Sequence, residues 1–190
     1  MVAFSKPKRK FRVALERRGR MNRRRIVTSF VVGLLAVALA GIAVGQDHAT
    51  PQEVVAKVRE AAAVLSKGGD VAQFRDKQGP WVWKDTYVWV DDCEKMIQVT
   101  HPIRPELNGV DFRTIKDSKG NKIFPANFCD QAKKPSGTWF EYSWPKPGAK
   151  EDSRKITYCT SAKGTPYVAC AGVYDEKATM AELSKLSAKK

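Results

Sequence analysis

Three observations predict an α+β domain built on a five-stranded antiparallel sheet with a long N-terminal helix. Apolar residues recur at helical spacing between residues 54 and 65 behind a complete helix-start signal. The period changes to two from residue 86 onward. Helical stretches stand before and between the β-rich runs, and the last three runs follow one another as a meander.

The charge of the 190-residue chain is unevenly placed. The formal net charge is +14, but residues 1–45 hold eleven of the 34 Lys and Arg against one acid, which leaves 23 bases and 19 acids in the remainder. The folded unit is only mildly basic, so the basic face that nucleic acid requires is missing and no nucleic-acid partner is expected. The basic leader runs into "IVTSFVVGLLAVALAGIAVG", residues 26–45, which carries no charge. Basic, then apolar, then small residues is the layout of a secretory signal peptide, with cleavage after Gly45. The same run is long enough to span a bilayer, so an uncleaved anchor at 26–45 stays open. Both readings place the domain outside the cytoplasm, periplasmic or secreted in the first case and held at the inner membrane in the second.

After a linker at 46–49, Thr50 is the N-cap, Pro51 the first helical position and Glu53 the acid three residues after the cap. Val54, Val55, Val58, Ala62 and Leu65 form one stripe, and Gly68-Gly69 ends the helix. "DVAQFRDKQG" adds a helical turn begun by Asp70. "TYVWV" (86–90) and "KMIQVTH" (95–101) form a hairpin about "DDCE". Ile97, Val99 and His101 share a face of the second run, which ends in extended conformation because Pro102 follows. The connection at 102–122 is about 20 residues long, unusual in a compact domain and therefore a candidate functional loop. A short helix carrying Phe124 and Phe128 comes next, then strands at 138–144, 155–160 and 166–174, and a terminal helix with a basic tail. In "GTWFEYSWPKPG", alternation sets Phe140, Tyr142 and Trp144 on one face and Trp139 on the other.

The four cysteines, Cys93, Cys129, Cys159 and Cys170, have no C-x-x-C pair, which argues against structural zinc. In an exported domain an even count reads as two disulfides, with three connectivities open. A hairpin centred between Gly164 and Thr165 sets Cys159 opposite Cys170, within disulfide reach, and leaves Cys93 for Cys129. A register slipped by one residue removes that pairing, and four thiols packed as small hydrophobes is the other reading.

Taken in order, "TYVWVDD", "THP", "NGVDFRTIKDSKGNKIF", "GTWFEYSWPKPG", "RKITYCTS" and "YVACAGVY" resemble the motifs of the single Cache domains of type 2, extracellular PAS-like sensor modules. Asp111 stands where that family usually has Asn, and the cysteines are an addition. The resemblance implies a PAS-like sheet over residues 50–175, followed by the helix and basic tail at 176–190. It also implies a small organic ligand, a short carboxylate, held between the sheet and the long loop. Carried onto this sequence, the ligand-binding candidates are Tyr87, His101, Tyr142, Trp144, Lys155 and Tyr158. Lys, His and Tyr supply donors to an anion, and the rings supply apolar wall. Strict alternation puts Lys155 and Tyr158 on opposite faces, and of the two Tyr158 is ranked first, Lys155 reaching the pocket only if the strand begins after it.

Receptors of this family continue through a second membrane helix into a signalling module, whereas this sequence ends about 15 residues after its last strand. The expectation is therefore a free-standing binding protein that signals through a separate partner, a membrane receptor or histidine kinase. A structural partner-binding module without ligand is the alternative. An enzyme is the weaker one, because a single histidine within the domain, His101, no G-x-S-x-G turn and no dithiol motif leave little to activate a nucleophile. No cofactor or metal is expected.

Overall fold

The computed structural model describes residues 48–174 and 177–189. The signal-peptide or anchor reading of 1–45 lies outside the described residues, as does the start of the linker. No helix among the described residues is long and apolar enough to cross a membrane.

Helix α1 (Pro51–Ser66) begins as its sequence dictates. The Thr50 hydroxyl accepts from Glu53 N while the Glu53 carboxylate accepts from Thr50 N, a reciprocal pair that satisfies two otherwise orphaned donors. Val54, Val55, Val58, Ala61, Ala62 and Leu65 form its buried face. Gly68, at φ +81°, takes the chain out of the helix. Asp70 then caps a 3-10 turn, Val71–Arg75, which buries Phe74 at 4.6 Å from Trp81.

The run expected as one strand at 86–90 is two. β1 (Val82–Trp83) and β2 (Thr86–Tyr87) make a separate small hairpin, and β3 (Trp89–Asp92) enters the main sheet. The small hairpin turns on Lys84 at φ +48° and fastens the entry to α1. Lys84 pairs with Glu53 at 2.7 Å, and the Asp85 carboxylate accepts from Ala49 N at 2.8 Å. β3 pairs with β4 (Ile97–Thr100) about a turn whose last residue, Met96, has φ +58°. A non-glycine residue held there costs on the order of 1 kcal/mol.

Short helix α2 (Phe128–Ala132) precedes three long strands, β5 (Thr138–Pro145), β6 (Asp152–Ser161) and β7 (Tyr167–Val173), and α3 (Met180–Ala188) follows them. The five-stranded sheet is antiparallel throughout, in the order β4-β3-β7-β6-β5. Its hairpin register sets Cys159 opposite Cys170, and both expected disulfides are present, Cys159–Cys170 and Cys93–Cys129.

Each face of the sheet has its own core. Val88, Val90, Trp139, Ile156, Tyr158, Ala169, Ala171 and Val173 pack under α1 and Leu183 of α3. The small Ala169 and Ala171 on β7 leave room for the helix to lie close. Tyr87, Trp89, Phe140, Trp144, Val168 and the Cys159–Cys170 bridge occupy the other face with Phe112, Ile115, Ile123, Phe124 and Phe128 from the loop and α2. The aromatic run of β5 therefore divides as alternation requires, Trp139 to the helix side and Phe140 and Trp144 to the loop side. The long loop is stitched to β4 by Gln98 N donating to Val110 O (2.9 Å) and Gly109 N to Gln98 O (2.7 Å). At the far end the Arg59 guanidinium donates to Ser187 O and Lys189 O, tying α1 to the end of α3.

Thr50→Ala removes the reciprocal cap, and chemical denaturation should read a loss of about 1 kcal/mol.

Candidate ligand-binding site

Because β6 begins at Asp152, strict alternation already governs Lys155, which points with Thr157 and Cys159 to the loop side of the sheet. Its side chain is wholly buried. The stem crosses β7 at Gly172, where a Cβ would stand 2.7 Å from Lys155 Cε and 2.7 Å from Thr157 Oγ1. Only glycine leaves that corridor open. Beyond it, Lys155 Nζ donates to Tyr87 Oη at 3.0 Å and lies 4.1, 5.0 and 5.1 Å from the ring centres of Tyr87, Trp89 and Tyr174. Among the described residues it has no carboxylate within 4.0 Å. Burial pushes this lysine well below its ordinary value, and Asp85 offsets the effect only in part.

His101, just past the end of β4, is 3% exposed. Its ring stacks on Trp89 at 6.1 Å and tilts against Tyr87 at 4.7 Å. Nδ1 accepts from Arg104 N at 2.9 Å, which leaves the proton of the neutral imidazole on Nε2. Burial, then the charges of Lys155 and Arg104, hold it well below the usual histidine range. The neutral form can still donate a hydrogen bond.

Across the sheet, Tyr142 is the direct neighbour of Lys155 in register and its hydroxyl accepts from Thr157 Oγ1 at 3.1 Å. Trp144 meets the Tyr142 ring edge-on at 5.8 Å and carries the Arg104 guanidinium 4.8 Å above its own ring. Tyr174 donates to Pro145 O at 2.7 Å, which fixes its ring beside Lys155. Burial pushes the Tyr87, Tyr142 and Tyr174 phenols up, so all three remain protonated donors. Next along β3, the wholly buried Asp91 accepts from Trp89 Nε1 at 3.1 Å through one oxygen, while the other has no hydrogen-bond partner among the described residues. Burial raises its carboxyl well above the usual range and favours the neutral acid.

Five of the six sequence candidates, Tyr87, His101, Tyr142, Trp144 and Lys155, thus meet on one face. Tyr158 does not. It lies in the core under α1, its ring 5.0 Å from Trp139 and its hydroxyl without a partner. The order given to Lys155 and Tyr158 is reversed because the strand starts before Lys155, not after it. Trp89, Arg104, Thr157, Gly172 and Tyr174 were missed. Two-residue periodicity from Tyr87 and from Lys155 marks Trp89 and Thr157. Nothing in the local pattern marks Arg104, which the loop brings back over Trp144.

A helix-backed antiparallel sheet whose other face encloses a lysine amine in aromatic rings under a long loop defines an α+β domain with a layered, two-core architecture. The chain belongs to the Cache domain family, whose profile matches residues 82–179, just over half of its length. Over 91 residues, 47% of this chain, it is 34% identical to the methyl-accepting chemotaxis protein McpP of Pseudomonas putida, a match that spans only 16% of that relative. Among solved structures it is similar to the periplasmic sensor domain of a chemotaxis protein, at 22% identity over 87% of this chain and 99% of that one (TM-score 0.44). It is also similar to a Cache chemosensory domain solved for the basis of its carboxylic acid recognition, at 25% identity over 88% and 100% (TM-score 0.43).

Gly172→Ala should cost about 1–3 kcal/mol by overpacking. Only part of that loss should disappear when Lys155→Ala empties the corridor, because a Cβ there would still stand 2.7 Å from Thr157 Oγ1 and 2.9 Å from Ile156 O; a double-mutant denaturation cycle measures that partial non-additivity.

Proposed function

We propose that this domain senses a small organic carboxylate outside the cytoplasm, bound against Lys155. The observation that carries the reading is a wholly buried amine that uses one of its three possible donor positions, on Tyr87, and has no acid beside it. Keeping that amine charged without a partner is costly, and a carboxylate entering the cage would supply the counter-charge that stabilises the ammonium. Tyr87 and the Nε2 proton of His101 add directional donors. Tyr142, Trp144 and Trp89 form the wall, and Arg104 stands at the rim. The chemotaxis role of McpP supports a sensing function, with occupancy passed to a membrane receptor or histidine kinase. The domain acts by binding and not by catalysis, and the leader at 1–45 exports it, either cleaved or kept as an anchor.

Acetate, propionate, lactate and pyruvate, screened by thermal shift, test the reading. At a hundredfold excess over Kd a ligand adds about 2.7 kcal/mol, a rise on the order of 8 °C for a domain of this size. Lys155→Met should abolish the shift and leave the empty domain as stable as the parent or more so, since it replaces a buried amine with a single hydrogen bond by an apolar side chain of similar volume. Tyr158→Phe should leave the shift intact. If none of the acids raises the melting temperature, the carboxylate reading fails and a partner-binding module without ligand replaces it.

The depressed lysine also fixes a pH dependence. Between its folded value and its ordinary one the unfolded chain holds the extra proton. The contribution of Lys155 to stability is therefore present above the ordinary lysine value and lost as pH falls through the folded one. A bound carboxylate favours the ammonium, so binding takes up a proton and affinity falls as pH rises, by at most about tenfold per pH unit for one proton. Calorimetry in buffers of different ionisation heat should register that uptake; equal heats in all buffers would show that Lys155 does not change charge.

A further inference from the structure

A concavity lies apart from the lysine cage and shares none of its residues. It is a groove of about 450 Å³ between the β3–β4 turn and α2, a volume ordinary for small-molecule sites. Phe112, Phe124 and Phe128 line it, mutually packed at 4.9–5.5 Å. Met96 lines it from the turn. That residue occupies a left-handed position where glycine would sit without strain, and there it places a thioether beside the groove. The Cys93–Cys129 bridge joins the turn to α2 and so fixes the separation of the two walls, with Cα atoms 5.9 Å apart.

The rim is cationic. Arg113, Lys122 and Lys133 stand on it against the single acid Asp130. Arg113 is engaged by Asp111 at 2.6 Å, and Lys133 is only 3.8 Å from Asp130 with both side chains largely in solvent. Lys122 makes no ion pair among the described residues. Phenyl rings and a thioether favour a flat apolar body, because ring–ring and sulfur–ring contacts add to area burial. The rim favours one negative charge.

We propose that this disulfide-braced groove is a second binding site, for a small aromatic monoanion: one ring bearing one carboxylate or sulfonate. The walls are fixed before the ligand arrives, so little ordering opposes binding.

Benzoate is the probe and benzamide its neutral counterpart, each titrated into the isotope-labelled full chain with backbone amide shifts as the readout. Saturable movement of the Met96, Ala126 and Lys133 amides is expected. Charge reversal by Lys122→Glu with Lys133→Glu, both exposed and outside the core, should raise the benzoate Kd about tenfold and leave benzamide unchanged. Because the cage could also accept a carboxylate, the Tyr87 and His101 amides report it separately, and Lys155→Met should leave the groove response in place. Shifts confined to the cage amides, no saturable shift at all, or a benzoate Kd indifferent to the charge reversal would each overturn the proposal. The failure of acetate and its homologues at Lys155 would not bear on it.

Discussion

The arrangement of this domain turns on an amine buried among rings without an acid to neutralise it. Lys155 Nζ can reach its place only because β7 presents Gly172 beneath its stem, and it can remain there only because Tyr87, Trp89 and Tyr174 offer π faces and a phenol in place of water. Their attraction does not equal a counter-ion, and burial holds the lysine well below its ordinary value. A fold that needed only stability would place an apolar residue there. A buried amine at this position is what sets the face apart from the apolar core under α1.

Around that charge the sheet is built unequally. Under α1 it offers alanine, valine and isoleucine with Trp139 and Tyr158, a surface for close helix packing. Toward the loop it offers rings and hydroxyls, and the loop closes over them with phenylalanine and isoleucine of its own. The polar groups of the cage are all held by neighbours: His101 by Arg104 N, Tyr142 by Thr157, Tyr174 by Pro145 O. Such fixed donors lose little freedom when an anion arrives, which favours affinity from a small number of contacts.

Most of this frame was legible in the sequence, because it rests on short-range rules. The capping sequence at Thr50 and the alternation in 138–144 follow short-range rules, and the hairpin centre read between Gly164 and Thr165, which a one-residue slip would have undone, carried the cysteine pairing with it. What escaped depends on the chain meeting itself at a distance. The division of 86–90 between two sheets follows from Val88 N donating to Trp81 O, a contact no local pattern announces. The start of β6 three residues early is set by pairing with β5, Asp152 opposite Pro145, and that shift reversed the order of Lys155 and Tyr158. Arg104 was hidden for the same reason, since a loop residue acquires a partner only when the loop folds back.

β7 also joins the two faces of the domain. Ala169, Ala171 and Val173 seat α1, while the residue between the last two, Gly172, touches the lysine stem. Two residues beyond Gly172 is Tyr174, whose ring flanks the amine. The groups that would register an arriving anion and those that hold the helix are thus alternate residues of one rigid strand. A displacement of the amine has no soft segment in which to dissipate before it reaches the helix seat. The lysine stem and the helix seat thus meet across a residue that has no side chain.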